Sequence, residues 1–382
     1  MIRFAAIVVL GLFVGGCTPT EPAHNRPPTV VITAGPTGTV TADTARFEWS
    51  GADADGNLAG YYYGLDDSTP GDWTESTGVT LRAIGLGHHE FYVQATDDSG
   101  ARSEATVRTF ERTYQGGVLP RGTDTTLDVA TWNIQNFPRD GDQTIGALLG
   151  LVPQLDLDIY AIEEVEDTEA FRRLVGGLTG YDGLYSSDDY GNNSYQKTAV
   201  IYKRSAVSVS GVRQLFWENE SVVRPPLELD VTASVRSRVF DFRLVVMHLK
   251  AGTSYSDVAQ RRATCRLLKE YIDAELAAGG DSDYVVVGDW NDEIDDPPED
   301  NAFQMFIDDS ADYRFLTRPL VGNSYYDSYI AGGLIDHVLV TCAALPEYGS
   351  GSTVTLRLDD EMPNYEKLVS DHRPVMASFI MP

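Results

Sequence analysis

Residues 285–296 read VVVGDWNDEIDD. Three valines give way to a glycine, then to Asp289, Trp290 and Asn291, then to a run of further acids. Packing gives a buried strand no reason to end in carboxylates. The apolar half therefore reads as a rigid arm, with Asp289 and Asn291 as the chemistry it carries. Standing two residues apart, they project to one side if the segment stays extended.

The same design recurs further out along the chain. LDVATW runs into Asn133, DIYAI into Glu163 and Glu164, and FRLVVM into His248. Asp336 opens DHVLVT, and Asp371 and His372 directly precede RPVMASF. Strands that run into a polar cluster, and others that run out of it, fit one edge of a mixed sheet. Between them, QTIGALLGLVPQL, DTEAFRRLVGGL and SDVAQRRATCRLLKEYIDAELA have helical periodicity. Residues 127–382 are thus expected to form an α/β domain rich in strands.

The residue types point to one chemistry. Carboxylates with asparagine, and no set of thiolates, suit a hard, oxygen-preferring cation: Mg²⁺ or Mn²⁺, with Ca²⁺ also admissible. Histidine beside aspartate suits proton handling, the carboxylate fixing the tautomer and stabilising imidazolium. Trp290 reads as packing, and Glu166 and Asp167 as caps of a helix beginning near Thr168. Arg261 and Arg262 either reach the site or lie on a plain helix surface.

In chain order, TWNIQNF, IYAIEEVED, SYQKTAVIY, VVRPPLEL, VVMHLKAG, VVVGDWND, GGLIDHVLV and VSDHRPV resemble the endonuclease/exonuclease/phosphatase superfamily. That group includes pancreatic-type deoxyribonuclease, abasic-site endonucleases, inositol polyphosphate phosphatases and neutral sphingomyelinases. The resemblance covers 127–382 and implies a four-layered α/β sandwich, two packed sheets flanked by helices. It implies Glu164 as principal metal ligand with Asn133 nearby, Asp289 orienting or deprotonating the attacking water, and Asn291 on the phosphate. Asp371 would lie at the metal or water, and His372, paired with Asp336, would stabilise the transition state. His248 would be the general acid, and Arg224 in RPPL would contact the phosphate, where a cation is independently sensible. There are departures from the pattern. Glu163 stands where many members have glutamine, Gln135 where the deoxyribonuclease branch has arginine, and Lys197 roughly where it has a glutamate, which points Lys197 at a phosphate instead.

The N-terminal part is of another kind. Residues 1–17, MIRFAAIVVLGLFVGGC, place Arg3, a short apolar run and small residues before Cys17, and read as a signal peptide. Val14 to Cys17 resembles the bacterial lipobox, which would make Cys17 a lipid anchor at the outer membrane or cell surface of an exported protein. Residues 18–26 form a tether. Across 27–112, TVVITA, ARFEWS, AGYYYGLD, GVTLRAI, HEFYVQATD and ATVRTFE are short β-runs between turn signals. They suggest a small all-β sandwich resembling fibronectin-type-III or immunoglobulin-like modules, with Trp49, Phe91 and Val93 in its core. Residues 113–126 read as a linker. Cys265 and Cys342 could pair, but spacing alone gives no geometry.

With 57 acidic against 29 basic residues, the formal net charge is −28. Such a surface repels polyanions beyond contact range and excludes an affinity-driven nucleic-acid clamp, leaving nucleic acid as a transient substrate. The expected function is a metal-dependent phosphodiesterase, a nuclease using in-line attack of water on DNA or RNA. The same chemistry would serve a phospholipid or sphingomyelin phosphodiesterase or a sugar-phosphate phosphatase. The reading from a different class is a non-catalytic surface adhesin with the β module as binder. No protein partner is implied, and a monomer is expected.

Overall fold

A computed structural model describes residues 25–187, 196–219 and 221–381. The expected signal peptide and Cys17 lie outside them. Among the described residues no helix is long and apolar enough to cross a membrane. Contacts divide the chain into two compact units. The first holds Arg46–Thr80 and Glu90–Arg108 with the described residues up to Gly35; the second holds Pro36–Ala45, Leu81–His89 and Thr109–Pro382.

The N-terminal region is all β, as its short runs predict. Its strands are β1 (Thr29–Ala34), β2 (Gly38–Val40), β3 (Ala45–Ala52), β4 (Leu58–Leu65), β5 (Asp72–Thr74), β6 (Gly78–Leu81), β7 (Gly87–Asp97) and β8 (Thr106–Arg112). Alternation in β3 and β7 buries Phe47, Trp49, Phe91 and Val93, and the Phe47 and Phe91 rings stack at 3.8 Å.

Two six-stranded sheets build the second unit. The first comprises β9 (Leu127–Phe137), β10 (Ile159–Val165), β11 (Tyr181–Tyr185), β12 (Lys197–Lys203), β19 (Ser352–Thr355) and β20 (Val375–Phe379), ordered β11-β12-β10-β9-β20-β19. The second comprises β13 (Val207–Gln214), β14 (Leu227–Val235), β15 (Arg238–His248), β16 (Tyr284–Asp289), β17 (Tyr313–Phe315) and β18 (Asp336–Thr341), ordered β13-β14-β15-β16-β18-β17. Inner faces of both sheets share one core, with Val129, Ala161, Leu244, Val246, Val285, Val287 and Val338 among its members. The outer face of the first sheet carries Trp132, Tyr160 and Ile162 against α1 (Asp142–Leu155) and α2 (Thr168–Gly177). The outer face of the second carries Val245, Met247 and Val286 against α3 (Tyr255–Ala277). Helix, sheet, sheet, helix: this is the four-layered sandwich.

Alternation then decides which functional side chains meet. Asp289 shares the parity of Val285 and Val287, His248 that of Leu244 and Val246, and Asp336 that of Val338, so all three belong to the inter-sheet side. Register aligns them as well, since β15 runs parallel to β16 with His248 opposite Asp289, and β18 runs antiparallel with Asp336 opposite Asp289. Trp290 takes the other side and packs fully buried among Phe303, Phe306 and Phe315.

Gly288 explains the glycine in VVVGDW. Its φ is +151°, and a Cβ there would stand 2.0 Å from the Met247 carbonyl oxygen in the neighbouring strand. Backbone on an inner strand cannot give way cheaply. Gly288→Ala is therefore expected to destabilise the protein by about 2–4 kcal/mol. Urea unfolding measures it, and a change under about 1 kcal/mol would show that the strand relaxes freely.

Candidate active site

Two consecutive acids of β10 can serve one site only if the strand breaks its own alternation. Glu163 lies opposite Asn133 of β9, and the register slips between Glu163 and Val165. Glu164 takes φ +65° at that slip, a conformation that a non-glycine residue holds only where its surroundings demand it. Glu163 is completely buried and accepts from Thr131 Oγ1 at 2.9 Å. Glu164 Oε2 accepts from the Asn136 backbone N–H at 2.8 Å. Asn133 Nδ2 donates at 3.1 Å both to Glu164 Oε1 and to Asp289 Oδ2, tying the two sheets together. Its oxygen accepts from the Gln135 N–H, so the Asn133 amide bridges the two carboxylates through its nitrogen.

From the second sheet, His248 Nε2 lies 3.6 Å from both Glu164 Oε1 and Asp289 Oδ2. Asp289 Oδ1 accepts the Asn291 N–H at 2.9 Å. Asn291 has φ +52°, so the chain turns after Asp289 and does not continue extended as the spacing predicts. The two residues are neighbours through this turn. Asn291 Nδ2 and Arg224 Nη1 donate to the same Leu249 carbonyl, at 3.2 and 3.0 Å, which brings the two expected phosphate contacts together. His372 Nδ1 and Asp336 Oδ2 are 2.8 Å apart, and the His372 N–H donates to Ser370 Oγ.

Other expectations divide. Asp371 is gripped by Gln135, whose Nε2 donates to Asp371 Oδ2 at 2.7 Å while its Oε1 accepts the Asp371 N–H. Lys197 is half-buried at the start of β12 opposite Val165, and the side chain from that stretch that reaches Arg224 is Gln196. Asp167, not Glu166, caps α2, accepting from the Glu169 and Ala170 N–H groups. Arg261 braces the turn after His248 through the Lys250 and Gly252 carbonyls. Cys265 and Cys342 are both free.

Charge is strongly unbalanced at this edge. Burial, then the Asp336 carboxylate, pushes Asp289 up to about 7. The same influences, with Asp289 added, raise Glu163 well above the carboxylate range. Burial opposes the charge on His372, but the Asp336 carboxylate prevails and holds it at about 10. Burial, then Arg224 and His372, drives His248 well below its ordinary value. Glu163 Oε2, Asp336 Oδ1 and His248 Nδ1 are buried without a hydrogen-bond partner among the described residues. Ligand atoms of Asp289, Asp336 and His372 fall within 4.8 Å of one another. Crowded, under-satisfied carboxylate oxygens fit a hard divalent cation.

Gln196, Gln135 and the Leu249 carbonyl carry contacts that the sequence does not announce. Their only signal is position: each adjoins or sits within a motif already read.

Residues 130–372 match the Endonuclease/Exonuclease/phosphatase family. No curated protein matches the chain. Among solved structures, the chain is similar to an endonuclease/exonuclease/phosphatase from Bacteroides vulgatus, at 19% identity and TM-score 0.50, over 68% of this chain and 100% of that one. It is also similar to D. rerio TDP2 complexed with single strand DNA product, at 14% identity and TM-score 0.50, over 67% of this chain and 99% of the other. The family match runs from within β9 to His372 and takes in the residues gathered at the sheet edge. The chain belongs to the Endonuclease/Exonuclease/phosphatase family.

Proposed function

We propose that this protein is a divalent-metal-dependent phosphodiesterase, a nuclease that cleaves nucleic acid by in-line attack of water. The observation that carries the reading is Asp289. It is a buried carboxyl poised near neutrality, oriented by two donors, and flanked by the His372–Asp336 pair.

Each group then has a task that its contacts allow. Asp289 takes the proton of the attacking water, its carboxylate oriented by the Asn133 amide and the Asn291 N–H. His372, held charged by Asp336, faces the negative charge that grows on the phosphoryl oxygens. Arg224 and Asn291 hold the ester phosphate from one side. Glu164 and Asp371 would hold the cation, with Asp289 close by, and a bound Mg²⁺ or Mn²⁺ would supply charge neutralisation at phosphorus. His248 stands 3.6 Å from both Glu164 and Asp289, where the resemblance expects the group that protonates the leaving oxygen.

The test is hydrolysis of plasmid DNA and of bis(p-nitrophenyl) phosphate with Mg²⁺ or Mn²⁺, run beside sphingomyelin liposomes and a sugar phosphate. Turnover of both diesters, abolished by chelation and restored by metal, is expected. Activity indifferent to chelation sinks the reading, and exclusive turnover of liposomes or sugar phosphate keeps the chemistry but moves the substrate.

A further inference from the structure

One chain of contacts at the site is internally contradictory. Arg224 Nη2 can only donate, so Gln196 must turn Oε1 toward it, at 2.6 Å. Gln196 then offers Nε2 to Asn136, which must answer with its oxygen, at 2.5 Å. That same corner of Asn136 lies 3.1 Å from Glu164 Oε2 and 3.0 Å from Glu166 Oε1. Ionised carboxylates only accept, so this end demands the Asn136 nitrogen. Arg224 calls for one orientation of the amide and the two glutamates for the other.

We propose that Gln196 and Asn136 form a two-setting relay that couples phosphate engagement by Arg224 to the holding of Glu164. The relay rests on the reading of Glu164 as a cation ligand and Arg224 as a phosphate contact. With Arg224 on Gln196, an amide oxygen opposes the Glu164 carboxylate. Once a phosphate draws Arg224 away, Gln196 is free to turn over and accept. Asn136 then turns its NH₂ onto Glu164 and Glu166. A carboxylate fixed from behind is the better metal ligand, as partners of ligating groups generally show. Phosphate and cation therefore assist one another, and by reciprocity each raises the other's affinity by the same factor. Gln196 and Asn136 are positioning residues; neither need touch the reacting atoms.

The coupling can be measured without turnover. Mn²⁺ affinity is read by electron paramagnetic resonance, with and without saturating dimethyl phosphate, a slowly hydrolysed diester anion. The wild type is expected to bind Mn²⁺ at least about fivefold more tightly with the diester present. Gln196→Leu removes both relay functions. Asn136→Gly removes the amide while tolerating φ +48° at that position. Each is expected to reduce the coupling by at least about twofold, leaving the direct attraction of cation for phosphate, and the double variant to reduce it no further, as befits one shared path. Undiminished coupling in either single variant overturns the relay, as does a wild type that binds both ligands independently. A wild type that binds no Mn²⁺ at all fails earlier, at the reading of Glu164, and is told apart by that.

Discussion

Asp289→Asn is expected to lower kcat for a phosphodiester by about 10³-fold, to change KM far less, and to leave the fold at least as stable. The two halves of this result have one cause. Asp289 is 2% exposed and stands in register with Asp336 on the adjoining strand. Burial and that neighbour push its carboxyl up to about 7, which makes it a serviceable base and an uncomfortable structural element. An amide removes the discomfort and the base together. One hydrogen bond suffers, because the new NH₂ confronts a donor, the Asn133 amide or the Asn291 N–H, at a cost of about 1 kcal/mol. Relief of the acid pair offsets it. Steady-state kinetics with bis(p-nitrophenyl) phosphate and a thermal melt measure both halves. Turnover within tenfold of wild type would remove Asp289 from the reaction. A large loss of stability would make it a structural residue instead.

How much of this was legible beforehand follows from which forces wrote it. Strands β9, β10, β12, β15, β16, β18 and β20 carry apolar runs, and burial at both sheet faces makes such runs stand out. Their polar ends then identify Asn133, Glu163, Glu164, His248, Asp289, Asp336 and His372, which the fold brings to one edge. By contrast β13, VSVSGVRQ, is an edge strand with most of its residues exposed, and its alternation lasts only four residues before Gly211 breaks it. β14, LELDVTASV, does alternate, but it follows directly on the RPP of an irregular segment.

The site's finer geometry is set by backbone, where residue type says little. Extended spacing suggested that Asp289 and Asn291 share a face, yet the φ of +52° at Asn291 makes them a turn. The resemblance places Asn133 near the metal. Which atom it turns inward is set by the fold: the Gln135 N–H holds its oxygen, and its nitrogen meets Glu164 and Asp289. Gln196 is neutral and aperiodic, and the departure from the family pattern drew attention to Lys197, its neighbour. Its importance comes wholly from reaching Arg224 on one side and Asn136 on the other. Contacts between side chains far apart in sequence are written by the fold, and only the fold shows them.

The His372–Asp336 pair gives the other large effect, and it needs a double substitution to be read. His372→Ala is expected to lower kcat by about 10³-fold and also to destabilise the protein by about 3–5 kcal/mol. The second loss arises because Asp336 would remain buried with neither oxygen satisfied: Oδ1 already lacks a partner among the described residues, and Oδ2 loses its own. Stability alone would then account for a dead enzyme. Asp336→Asn in the same chain removes the stranded charge, so His372→Ala/Asp336→Asn is expected to recover most of the stability and none of the turnover. The pH dependence carries a second signature in chelated protein. A histidine raised in the fold contributes stability that is complete below its unfolded pKa of about 6.5. That contribution is lost as pH rises through about 10, its folded value. The double variant should lose this alkaline decline, because the charge responsible for it is gone. If the double variant regains turnover along with stability, His372 only holds the fold, and the charge that grows at phosphorus is met by other groups.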